Sequence, residues 1–145
     1  MYRSTRQTET RERKKIVHIN YNLSGYTLGL NSDWIHIPLI DPVNIPHHSE
    51  VYLSQFWLNT TSTSPAFIVD IDQFPAWDSN DSTPKCGITV PATTGLAHYD
   101  NFFLFYTNPI RLDKISLKIG DSTGDHIPGS SNLIATLLFQ SAESV

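Results

Sequence analysis

The sequence predicts an all-β fold, an antiparallel β-sandwich of about eight strands, on three observations. Short runs rich in Val, Ile, Leu, Phe and Tyr alternate side chains at the period of a strand. Nine prolines and seven glycines fall mostly between those runs, where they set turns and end pairing. No long segment carries an apolar stripe at helical spacing.

The elements follow in order. "IVHINY" puts Val17, Ile19 and Tyr21 on one face, and "WIHIPLI" follows the turn "GLNSD". "VYLSQFWL" sets Val51, Leu53, Gln55 and Trp57 against Tyr52, Ser54, Phe56 and Leu58, so both faces read as largely apolar and covered. "AFIVDID", "CGITV", "NFFLFY", "RLDKISLKI" and "NLIATLLFQ" complete the set. The intervening loops "DPVNIPHH", "DQFPAWDSNDSTPK" and "GDSTGDHIPGSS" are long for tight hairpins and fit the crossing connections of a Greek key or single jelly roll. The last two strands flank "GDSTGDHIPGSS" in hairpin-like context. Gly120 and Gly124 are expected there at positive φ, with Asp121 and Asp125 accepting from turn amides.

Charge divides the chain unevenly. Within the first fifteen residues Arg3, Arg6, Arg11, Arg13, Lys14 and Lys15 stand against Glu9 and Glu12, a net of +4. The remainder has four basic against twelve acidic residues, a net of −8. Residues 1–15 therefore read as a basic N-terminal arm and 16–145 as the sandwich domain, the arm being suited to an anionic partner or an acidic neighbouring subunit. Cys86 is the single cysteine, so no intrachain disulfide is expected. No apolar run approaches a membrane helix, and the N-terminal residues lack the apolar core of a signal peptide; synthesis in the cytosol is expected.

Chemistry-bearing residues do not assemble into a recognisable site. Asp121, Asp125 and His126 lack the spaced oxygen ligands and distal Glu of a calcium loop. His47 and His48 are adjacent, so their side chains diverge in a strand, and Glu50 adds only a local turn contact. Cys86 has Lys85 as its one basic neighbour, and Asp78 and Asp81 sit in a polar loop. There is no phosphate-binding glycine loop or paired-carboxylate signature. No catalytic residue, metal or cofactor is therefore assigned, and an enzyme is not expected. The aromatic strands "VYLSQFWL" and "NFFLFY" contain no Lys or Arg, which argues against a nucleic-acid-binding sheet. The acceptor sequons at Asn22, Asn59 and Asn80 carry no information without a route to glycosylation.

The segment "DWIHIPLIDPVNIPHHSEVYLSQFWLNTTS" joins an amphipathic strand, a Pro-punctuated loop and a Glu-Val-x-Leu strand; "NPIRLDKISLKIGDSTGDHIP" with "NLIATLLF" ends the body on a Leu-containing strand, a Gly/Asp turn and an apolar strand. In pattern and order, from Asp33 to Phe139, this resembles the single jelly-roll penton and minor capsid proteins of large nucleocytoplasmic DNA viruses. The resemblance implies a structural component of an icosahedral shell in the virion, either a homopentameric penton closing a five-fold vertex or a minor protein cementing the shell. Its partners would be itself and the major and minor capsid proteins. Arg3, Arg6, Arg11, Arg13, Lys14 and Lys15 would tie the arm to neighbouring components; contact with nucleic acid or an inner membrane is left open. A different class of reading is a carbohydrate-binding sandwich using Trp77 or Tyr99 as a stacking platform beside Asp78 or Asp100.

Overall fold

The computed structural model describes residues 14–74 and 88–141. They form eight strands: β1 (Lys14–Asn22), β2 (Ile35–Ile45), β3 (Ser49–Asn59), β4 (Ala66–Ile71), β5 (Ile88–Pro91), β6 (Ala97–Thr107), β7 (Ile110–Gly120) and β8 (Asn132–Ser141). Two antiparallel four-stranded sheets result, in the orders β1-β8-β3-β6 and β2-β7-β4-β5. Only β4 and β5 are both consecutive in the chain and paired; every other connection leaves one sheet for the other.

The alternation that predicts the strands also builds the core. Val17 and Ile19 of β1, Ile115, Leu117 and Ile119 of β7, and Leu133, Leu137 and Phe139 of β8 are buried between the sheets. Phe74 packs its ring against Phe105 at 5.0 Å and against Phe139 at 5.7 Å between centroids. An apolar void of about 30 Å³ remains between the sheets, lined by residues such as Leu53, Phe56 and Leu104. It is hardly larger than one water molecule, so it is no ligand site.

Two sequence expectations need correction. The alternation of β3 is not continuous: the pairing with β8 shifts between Leu53 and Gln55. Val51 and Leu53 point inward, and after the shift Phe56 and Leu58 do so, leaving Tyr52, Gln55 and Trp57 half-buried on the outer face. A bulge changes which residues share a face, and composition alone does not reveal it. The second correction concerns "GDSTGDHIPGSS". It is not a hairpin tip, because β7 and β8 lie in different sheets.

That segment is a connection between sheets, and its turn chemistry is as expected only in part. Asp121 Oδ1 accepts from the amides of Thr123 (2.8 Å) and Asp125 (2.9 Å) and from Thr123 Oγ1 (2.8 Å). These donors hold the Asp121 carboxyl below its ordinary value, with the Thr123 hydroxyl the largest cause. Asp125 accepts from Thr123 Oγ1 instead of from an amide. Gly124 has φ +87°, whereas Gly120 is not at positive φ; a Cβ on Gly120 would press on the Gly124 backbone at 2.8 Å. Glycine at 120 therefore serves close backbone approach.

The end loops interlock. Leu30 N donates to Gly124 O, Ile127 N to Leu28 O, and Ala92 N to Pro65 O, tying the β1–β2, β7–β8, β3–β4 and β5–β6 connections together. Thr60 Oγ1 donates to Pro128 O at 2.8 Å and Leu23 N to Ser131 O.

Candidate functional site

The outer face of the β1-β8-β3-β6 sheet is the most distinctive surface. Register sets its side chains in rows running across all four strands. Lys14 pairs with Gln140, Gln140 with Glu50, and Glu50 with Tyr106. The next row is Ile16–Leu138–Tyr52–Phe103, apolar from edge to edge. Below it runs His18–Thr136–Gln55–His98.

The apolar row is exposed where it meets the sheet edges. Ile16 is 63% exposed and Phe103 42%, and Tyr106 in the adjoining row is 54% exposed. Tyr52 meets Phe103 edge-on at 5.6 Å, and Phe103 meets Tyr106 at 5.0 Å, so three rings form one patch. Burial, followed by the neighbouring Glu50 carboxylate, raises the Tyr52 phenol above its ordinary pKa. A contiguous aromatic patch facing water marks an interaction surface more often than a scattered exposed side chain does. Aromatic residues are also those enriched in the buried centres of protein interfaces.

The polar row is a directed hydrogen-bond chain. The Gln55 Oε1 oxygen can only accept, so Thr136 Oγ1 donates its proton there at 3.0 Å. The same hydroxyl oxygen then accepts from His18 Nδ1 at 2.6 Å. Gln55 Nε2 donates to His98 Nδ1 at 3.2 Å. Each of the four strands contributes one member, so the row ties the outer face together across the β3 bulge.

The residues singled out in the sequence are not gathered into one site. Arg3, Arg6, Arg11 and Arg13 lie outside the described residues, as do Trp77, Asp78, Asp81, Lys85 and Cys86. Lys14 and Lys15, assigned to the arm, are the first two residues of β1 and pair with Gln140 and Phe139. Lys14 is exposed on the outer face, and Lys15 lies beside Ile45, Pro46 and Phe139. Tyr99 is half-buried with its ring edge-on to Phe102 at 5.0 Å, and burial raises its pKa. His126 Nδ1 lies 2.9 Å from Leu28 O, and Ser49 Oγ donates to His47 O. Among the described residues no group of three or more His, Cys, Asp or Glu side chains is placed to hold a metal ion.

Sequence reading missed the apolar row because it assigned Ile16, Leu138, Tyr52 and Phe103 strand by strand. Their sequence signal was the excess of apolar residues on both faces of β3 and β8; only the register brings them into line. No family model matches the chain, and no curated protein matches it either.

Proposed function

We propose that the chain is a structural protein of an icosahedral viral capsid, a shell subunit that works by protein–protein contact, and that its role is the penton at the five-fold vertex. The observation that carries the proposal is the exposed apolar row with its Tyr52–Phe103–Tyr106 patch, a surface fitted for a neighbouring subunit. The strand orders β1-β8-β3-β6 and β2-β7-β4-β5 support a single jelly roll, in which two Greek keys wrap eight strands into two sheets. The charge contrast between the N-terminal residues and the body supports docking of the arm onto neighbouring components. No observation favours the carbohydrate reading: Tyr99 is engaged by Phe102, and Trp77 and Asp78 lie outside the described residues.

Light scattering of the full chain at several salt concentrations tests the proposal. A closed oligomer, five-fold for a penton, is expected. A monomer at every concentration up to about 1 mM, where even contacts worth only about 4 kcal/mol are half formed, would overturn self-assembly. The cementing role would then be the remaining capsid reading, tested by incorporation beside the major capsid protein. An arm deletion for that assay should stop at residue 13, because β1 begins at Lys14.

A further inference from the structure

Among the described residues four strands edge this sandwich, and three are blunted. β2 contains Pro38 and Pro42, and its pairing with β7 shifts between Pro38 and Val43. β5 has only four residues and ends in Pro91. β6 is interrupted by two register shifts against β3. Prolines, bulges and short length are the usual devices that stop an edge from pairing further. β1 has none of them: nine residues, no proline, and an unbroken register with β8 from Lys14 to Asn22.

The direction of its backbone groups follows from one bond. Leu23 N donates to Ser131 O, which continues the β1–β8 register by one position beyond Asn22 and Asn132. In an antiparallel ladder hydrogen-bonded pairs alternate with non-bonded ones, so Tyr21, Ile19 and Val17 also bond to β8. The N–H and C=O groups of Ile16, His18 and Asn20 consequently point away from β8, along the free edge.

Space lies beside that edge. A groove of about 480 Å³ is lined by His18, Ile19, Asn20 and Tyr21 of β1, by Ile37, Pro38, Leu39 and Ile40 of β2, and by Gln55 and Ile134 on the outer face of the sheet. Consecutive strand residues face opposite sides of a sheet, so a surface that touches four in a row on each strand follows the two edges, and Gln55 and Ile134 show that it also spreads over the outer face. Ile40, at the β2 bulge, is 100% exposed on one wall, with the exposed Asp41 next to it.

We infer that the β1 edge accepts an added strand, and that the strand is the N-terminal segment, residues 2–10, of a second copy of this chain. The inference rests on the self-assembly reading above and gives the arm a receptor. "YRSTRQTET" contains no glycine or proline, and its tyrosine and threonines favour extended structure. Residues 1–13 reach about 45 Å when extended, and nine residues of added strand need about 30 Å, which leaves length to cross between subunits. Their four arginines outnumber Glu9 and Glu12 and meet a body of net charge −8, with the exposed Asp41 next in sequence to the groove-lining Ile40. The segment comes from a neighbour because folding back onto its own β1 needs a tight reversal just before Lys14. "TRERK" supplies no Gly, Asn, Asp or Pro for it.

The test follows amide hydrogen exchange in the full chain as it is concentrated. On association the amides of Ile16, His18 and Asn20 should slow at least tenfold, while those of Val17, Ile19 and Tyr21 are already slow in the dilute chain. Asn20→Pro removes one outward N–H and leaves the β8 ladder intact, so the fold should persist while association weakens at least tenfold. Deletion of residues 1–12 should weaken it equally, and the two changes together should do no more than either alone. Association that leaves the three amides exchanging freely, or additive losses, overturns the added strand and leaves the shell-subunit proposal standing. Absence of any association overturns both the added strand and the penton role. Should Asn20→Pro fail to fold, the exchange pattern of the unsubstituted chain and the deletion still decide.

Discussion

If the aromatic patch is an assembly contact, replacing Phe103 by serine should weaken assembly while leaving the subunit folded. Phe103 is 42% exposed. An aromatic side chain presents about 200 Å² for burial, so a neighbour that covers the exposed part removes about 80 Å² from water. At about 25 cal/mol per Å² this is about 2 kcal/mol per contact, or about thirtyfold in the association constant. Within the subunit the substitution loses burial of the covered part of the ring, about 120 Å² or about 3 kcal/mol, and the ring contacts to Tyr52 and Tyr106, about 1–3 kcal/mol together. A domain of this size has about 7–20 kcal/mol of stability, so it stays folded, with Tm lower by about 10–20 °C. Light scattering over a dilution series reads the association midpoint, and thermal unfolding below that midpoint reads the fold. A midpoint displaced about thirtyfold to higher concentration is expected. A shift of less than about threefold would refute the reasoning, because it would mean that Phe103 stays in water in the assembly.

Three further outcomes concern the subunit alone. Thr136→Val keeps shape but removes the hydroxyl that links His18 to Gln55, and should cost about 1–2 kcal/mol, read as a lower urea midpoint; an unchanged midpoint would show that the polar row adds nothing to the fold. The Asp121 carboxyl titrates below its ordinary 3.8 in the folded chain, so its contribution is present above that value and is lost as pH falls through the folded pKa. Asp121→Asn should therefore lower stability at neutral pH and flatten its fall in acid, and parallel stability–pH curves for the two chains would contradict the assignment. Gly129 has φ +66°, and a Cβ there would overlap Thr61 Oγ1. Gly129→Ala should destabilise through both strain and overlap, and adding Thr61→Ala should relieve the overlap and leave about 1–2 kcal/mol of backbone strain, measured by chemical denaturation.

Much of the fold was legible because strand periodicity is a local property. The residues from Ile115 to Ile119 and from Leu133 to Phe139 announce their inward faces by alternation, and each of the eight runs read as a strand contains one. The turn at Asp121 was equally legible, since Asx capping needs only the next few residues. Sheet membership was not. β7 and β8 alternate alike whether they pair with each other or face each other across a core, and so the connection between them looked like a hairpin. The phase change at Ser54 was hidden for a related reason: a bulge inserts one residue into the ladder, and both faces of β3 are apolar enough to tolerate either phase.

The candidate surface stood at the far end of that scale. By itself the sequence determined the strand-forming runs, the turn chemistry, the single cysteine and the basic N-terminal residues against an acidic body, because each is a matter of composition or of spacing within a few residues. Only the tertiary structure decided that Ile16, Leu138, Tyr52 and Phe103 form one apolar row, that His18, Thr136, Gln55 and His98 share a proton-directed chain, and that β1 is an edge strand among the described residues. Those facts depend on which strands pair and in what register. Pairing is settled by burying the inner faces of all eight strands at once, a global condition that no single run of residues encodes.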